Sequence, residues 1–87
     1  MKILLFEDDK CGSCRKWKPV YSNIVNILGI EHEETDDKDK RKEYNIKGLP
    51  TTILLDDSGN EVYSILGNVN EDKALESLRY YIDGRRD

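Results

Sequence analysis

The sequence is short of almost everything that would tie it to a membrane, a metal or a nucleic acid. Its longest apolar run, Ile3 to Phe6, stops after four residues, whereas a membrane span needs about 20. That run is also too short for the core of a secretory signal, and no small-residue cleavage site follows it. There is one histidine, and there are only two cysteines. A zinc site, which takes about four ligands, would have to complete itself from His32 and carboxylates. Basic residues gather only in the short Lys38-to-Lys42 run, and the net charge is −4, so a nucleic-acid footprint is not expected. Repeats, linkers and low-complexity segments are missing too. What remains is a chain of 87 residues, 37% hydrophobic and 37% charged. That is the composition of a single small globule with a heavily charged surface, residues 1–87 forming one domain. With no targeting segment in view, the expected compartment is a reducing cytoplasm, where paired cysteines are more often redox-active than structural.

Along the chain, hydrophobic period and turn chemistry place seven elements. Lys2 to Phe6 reads as a buried strand, its unbroken apolar character suiting the centre of a sheet covered on both faces. Glu7 to Lys10 is a charged loop. From Ser13 to Leu28, the positions Cys14, Trp17, Val20, Tyr21, Ile24, Val25, Ile27 and Leu28 step by three and four, giving an amphipathic helix that contains Pro19 and ends at Gly29. Ile30 to Thr35 reads as a polar strand at a sheet edge. Asp36 or Asp37 can cap a short charged helix to about Tyr44, stopped by Asn45. Thr51 to Leu55 and Glu61 to Leu66 form a hairpin across the turn at Asp56 to Asn60. Asn70 can start a last helix whose face is Leu75, Leu78 and Ile82, with Glu71 and Asp72 in its first turn and Gly84 as its close. The order is strand, helix, strand, helix, strand, strand, helix. The right-handed crossover rule makes the first two strands parallel.

The chemistry concentrates at Cys11-Gly12-Ser13-Cys14, where the first strand hands over to the first helix. A helix N-terminus offers unpaired N–H groups and a partial positive charge, which favour a thiolate over a thiol. Cys11 sits at that end with its sulfur able to accept those donors. Cys14, one turn on, faces the same side and lies deeper. Lys10, Arg15 and Lys16 add positive charge, while Glu7, Asp8 and Asp9 oppose it from what reads as a solvated loop. The helix terms act at contact distance and should win, drawing the thiol downward. Two inert core cysteines remain the alternative. Trp17 reads as packing, His32 as a surface side chain on the edge strand, and Tyr80 and Tyr81 as cover for the last helix's flank.

The pattern is completed by Gly48-Leu49-Pro50-Thr51 ahead of a strand, by Pro19 five residues after the second cysteine, and by Gly67 after the last strand. With these the chain resembles the thioredoxin superfamily, thioredoxins more than glutaredoxins, from Lys2 to Ile82. The resemblance implies an α/β fold, βαβαββα, with a four-stranded mixed sheet flanked by helices, lacking the family's N-terminal strand and helix. It implies that Cys11 and Cys14 are catalytic, that Pro50 is cis, and that Gly12, Ser13, Leu49, Pro50 and Gly67 receive the substrate chain. Three departures stand out. Lys10 replaces the family's tryptophan and Ser13 its proline. Leu5 sits where thioredoxins bury an aspartate that serves the second cysteine; Glu7 or a water could substitute, or nothing need replace it.

The resemblance thus points to a cytoplasmic monomer that reduces disulfide-containing proteins without a bound cofactor. Two rivals stay open: a glutathione-dependent, glutaredoxin-like enzyme and a non-catalytic binding module on the same fold. Gly48-Leu49 replaces the usual glutaredoxin Thr-Val before the proline, and Glu7, Asp8 and Asp9 should repel glutathione, itself an anion. The expected electron donor is therefore an NADPH-dependent thioredoxin reductase.

Overall fold

In a computed structural model that describes residues 1–86, and side chains as far as Gly84, all seven elements appear in the expected order. They are β1 (Lys2–Phe6), α1 (Gly12–Leu28), β2 (Glu31–Thr35), α2 (Lys38–Glu43), β3 (Thr51–Leu55), β4 (Glu61–Leu66) and α3 (Glu71–Arg86). The strands form one sheet in the order β2-β1-β3-β4. β1 runs parallel to β2 and antiparallel to β3, and β3 is antiparallel to β4.

The apolar run of β1 is buried because the sheet is covered on both sides. Alternate side chains of a strand point to opposite faces. Ile3 and Leu5 join Trp17, Tyr21, Ile24, Leu54, Leu78 and Ile82 in the larger core, under α1 and α3. Leu4 and Phe6 join Ile53 and Leu55 in a smaller one, closed by Tyr44, Ile46 and Leu49. Each fully buried side chain of this kind stabilises the fold by about 1.5–3 kcal/mol relative to leaving it exposed. Trp17 is wholly buried, and its indole N–H donates to Thr52 Oγ1 at 2.8 Å. The ring fills the core and its one polar atom is satisfied.

The polar strand β2 lies at the sheet edge, as its charges require. Glu33 pairs there with Lys2 at 3.3 Å and with Lys40 of α2 at 3.5 Å. His32 is exposed, its ring edge-on to Tyr21. Asp37, rather than Asp36, caps α2, accepting from Asp39 and Lys40. Asn45 ends that segment in the left-handed region, φ 55°, which asparagine tolerates better than most residues. Gly29 closes α1 at φ 64°, its N–H donating to Val25.

Two expectations need correcting. Gly84 does not close the last helix, which continues to Arg86. Gly84 is exposed and takes no left-handed conformation, so it costs only helix propensity, about 1 kcal/mol, and the helix runs through it. Of the two tyrosines expected to cover α3, only Tyr81 does so, stacking on Tyr63 at 4.6 Å. Tyr80 is 73% exposed.

Candidate functional site

Strand register puts three loops at one end of the sheet. Thr51, the first residue of β3, lies across from Phe6, the last of β1, and from Leu66, the last of β4. The cysteine loop after β1, the segment ending at Pro50 and the turn at Gly67 therefore meet at the same edge. Cys11, Gly12, Ser13, Cys14, Leu49, Pro50 and Gly67, the residues the resemblance implied for the site, all lie in these loops or on the first turn of α1.

The cysteine loop folds on itself before the helix begins. Asp8 accepts the Lys10 N–H on Oδ1 at 2.9 Å and the Cys11 N–H on its carbonyl at 3.0 Å. This Asx turn reverses the chain within four residues. Cys11 is the N-cap of α1, extended at φ −90° and ψ 111°. Its Sγ accepts the Cys14 N–H at 3.1 Å, the bond an N-cap oxygen usually makes. The first turn of α1 carries no acidic residue, so the helix's partial positive charge is left to the sulfur.

The two cysteines are joined as a disulfide, with Cα atoms 5.2 Å apart. They differ in access: Cys11 is half-buried and Cys14 only 2% exposed. Gly12 and Ser13 are exposed beside them, and a Cβ added at Gly12 would meet nothing within 4 Å. The surface around Cys11 is open to an approaching chain.

The Leu49–Pro50 peptide bond is cis, as the resemblance implied. Pro50 is buried and its carbonyl accepts the Gly67 N–H at 2.7 Å. Gly67 has φ 83°, a conformation open to glycine and strained for other residues. Thr51 Oγ1 donates to the Gly48 carbonyl at 2.6 Å, fixing the segment from the other side. Leu49 is half-buried against the smaller core.

The loop carboxylates depart from expectation. Glu7 and Asp8 are not simply solvated. Glu7, its side chain 14% exposed, pairs with Lys18 of α1 at 2.9 Å, which raises the lysine's pKa. Asp8 pairs with Arg41 of α2 at 3.4 Å. Its carboxyl is held below the usual range, first by the Lys10 amide and then by Arg41. Only Asp9 of the three is exposed. Cations from two helices therefore offset most of the negative rim.

Leu5 is fully buried among apolar neighbours, and among the described residues no acid is buried in its place. A cleft of about 240 Å³ runs past Cys14 and is lined by Glu7, Asp8, Asp9, Arg15 and Lys18. It is where the buried cysteine meets polar groups. Sequence reasoning passed over Arg41, Lys18 and Leu66. The last is 63% exposed, and a Cβ added at Gly48 would lie 3.1 Å from its Cδ1. An apolar residue closing an edge strand just before Gly67 was the available signal. For the two cations there was none, because their partners lie on other elements.

Among the described residues no group of three or more His, Cys, Asp and Glu is arranged to hold a metal ion. No helix among them is long and apolar enough to cross a membrane.

Comparison with known proteins places this geometry. A family model described as a thioredoxin-like domain matches residues 1–82. The chain is 31% identical, over 91% of its length and 100% of the other's, to the SPbeta prophage-derived thioredoxin-like protein YosR of Bacillus subtilis. It is also 28% identical to a protein disulfide-isomerase of Ricinus communis, over 79% of this chain but 16% of that much longer protein. Among solved structures it matches thioredoxin 1 of Thermosipho africanus, with TM-score 0.85 and 22% identity over the whole of both chains. Fasciola hepatica thioredoxin matches with TM-score 0.81 and 24% identity, over 92% of this chain and 79% of that one. At such identities the two structures establish the fold, a four-stranded mixed sheet flanked by helices.

Proposed function

The chain belongs to the thioredoxin-like family, and on that premise we propose that it reduces protein disulfides through the Cys11–Cys14 dithiol. The observation that carries this is the placement of the pair. The sulfur of half-buried Cys11 caps an acid-free helix N-terminus, and Cys14 is buried at disulfide distance.

In the reduced protein, Cys11 as thiolate attacks one sulfur of the substrate disulfide. That bond breaks, its electron pair leaves on the other substrate sulfur as thiolate, and a mixed disulfide forms on Cys11. Cys14 then loses its proton and attacks Cys11 Sγ. The second substrate sulfur leaves as thiolate, and the Cys11–Cys14 disulfide closes. Substrate gains two electrons from the enzyme, and at neutral pH its two thiolates take up two protons, one given up by Cys14 and one that Cys11 released to solvent on ionising. Gly12, Ser13, Leu49, Pro50 and Gly67 would hold the substrate chain, with the backbone of Leu49 next to Pro50 offering it an extended partner. We place this activity in a reducing compartment, the cytoplasm, with the chain acting as a monomer.

Return to the dithiol needs a two-electron donor, and we propose an NADPH-dependent flavoprotein reductase. Its support is now the Gly48-Leu49 pair alone. The ion pairs of Glu7 and Asp8 weaken the repulsion of glutathione, and so favour the glutathione-dependent reading more than the sequence does. Following NADPH consumption with the cognate reductase, and separately with glutathione plus glutathione reductase, decides between them.

Insulin reduction with dithiothreitol as donor tests the activity itself. Wild type should accelerate precipitation of the insulin B chain, and Cys11→Ser should not. Wild type no faster than dithiothreitol alone would make this a binding module.

A further inference from the structure

The six-residue helix α2 has no fully buried side chain, yet it reaches the cysteine loop through one residue. Arg41 Nη2 donates to the Glu7 carbonyl at 3.1 Å and to Asp8 Oδ2 at 3.4 Å. Its own carbonyl accepts the Ile46 N–H at 2.8 Å, in the segment that leads to Pro50. Asp8, so held, accepts the Lys10 N–H on its side chain and the Cys11 N–H on its carbonyl. One guanidinium thus lies a single residue away from the backbone of Cys11. Arg41 is 22% exposed on its side chain, and its Nε is buried without a hydrogen-bond partner. A buried unpaired donor costs stability, which an arginine free to turn outward would avoid.

We infer that Arg41 is a positioning residue for Cys11: it neutralises Asp8 and fixes the turn that delivers the nucleophile to the helix end. The inference rests on the reading of Cys11 as nucleophile. Charged groups act on that sulfur from every side. Glu7, Asp8, Asp9 and Lys10 come from its own loop, Arg15, Lys16 and Lys18 from α1, Arg41 from α2, and Glu34 of β2 through Lys18. Glu7 is paired with Lys18, Asp9 is exposed to water, and Arg15 reaches the Asp9 carbonyl at 3.2 Å. Asp8 is bonded within the turn itself, so its charge is the one that Arg41 offsets next to Cys11.

The test follows iodoacetamide labelling of Cys11 against pH in the reduced protein, read by peptide mass, with folding checked by circular dichroism. Arg41→Met should raise the labelling midpoint by about 0.5–1 pH unit, slowing labelling at pH 6 by roughly three- to tenfold. Arg41→Lys should recover part of that shift, since it keeps the charge and loses the planar fork. Adding Asp8→Asn to Arg41→Met should return the midpoint close to that of the parent, because the opposing charge has gone. Asp8→Asn alone should lower the midpoint, and serves as the decisive variant if Arg41→Met does not fold. An unshifted midpoint in folded Arg41→Met, a shift that survives Asp8→Asn, or no lowering in Asp8→Asn alone would each overturn the inference. If the parent protein itself shows no preference for Cys11, the reading of the nucleophile fails, and this inference with it.

Discussion

Helices α1 and α3 begin with the same hydrogen bond and different chemistry. Cys11 Sγ accepts the N–H three residues on at 3.1 Å; Asn70 Oδ1 does the same at 3.1 Å. At α3 the acceptor is a good one, and Glu71 and Asp72 in the first turn offset the helix dipole. At α1 the acceptor is a sulfur, and the first turn has no acid to offset it. One terminus is finished for stability, the other kept available for a charge that exists only when Cys11 is ionised. A protein that needed α1 only as a core helix would do better with serine or aspartate at position 11.

The largest effects should come from removing the sulfurs. Cys11→Ser and Cys14→Ser should each abolish turnover in the insulin assay. Cys14→Ser alone should accumulate mixed disulfides with partner proteins, visible on non-reducing gels. Equal trapping by both variants would show that the two thiols are not differentiated.

Making α1 resemble α3 should have a smaller effect. Ser13→Glu adds a first-turn carboxylate worth about 0.3–1 kcal/mol against the thiolate, a roughly two- to fivefold slowing of Cys11 labelling at pH 6. Ser13→Gln is the control, and an equal slowing in both would point to sterics. The reciprocal test is stability. Asn70→Ala should cost about 1 kcal/mol in urea unfolding. Under reducing conditions Cys11→Ala should cost less, because a thiol is the weaker acceptor. A larger loss at Cys11 would break the comparison.

The smallest effect expected lies in acid. The carboxyl of Asp8 titrates below its ordinary value of 3.8 in the folded chain, held there by the Lys10 amide and Arg41. Its stabilising contribution is therefore complete above that value and lost as pH falls through the lower folded one. Asp8→Asn should flatten the acid limb of the stability profile slightly. A limb identical to wild type would mean that the pairing is absent in solution.

Local chemistry was legible in the sequence wherever one segment carries both halves of the signal. The bounds of β1, β3 and β4, the Gly29 close, the Asn45 stop and the Asn70 cap each depend on a few neighbouring residues, and each stands in the structure. Gly84 misled because glycine near a helix end reads as a stop, yet on an exposed face it is merely a poor helix former. The slip in register between β3 and β4, at Leu54 and Leu55, leaves no mark in a pattern read one strand at a time. The cysteines and the Pro50 segment were visible as motifs. The fate of Glu7 and Asp8 was not, because their cations stand on α1 and α2. Only the folded chain brings Lys18 and Arg41 to the loop.

The central claim, that the chain keeps Cys11 as its accessible nucleophile at the end of α1, is tested most directly by alkylating the reduced protein. Iodoacetamide is added across pH 5 to about 9, and each cysteine is quantified by peptide mass. Cys11 should be modified first, with a midpoint below the ordinary thiol value of about 8.5, while Cys14 stays protected. Preferential labelling of Cys14, or no labelling of Cys11 below about pH 8, would contradict the account.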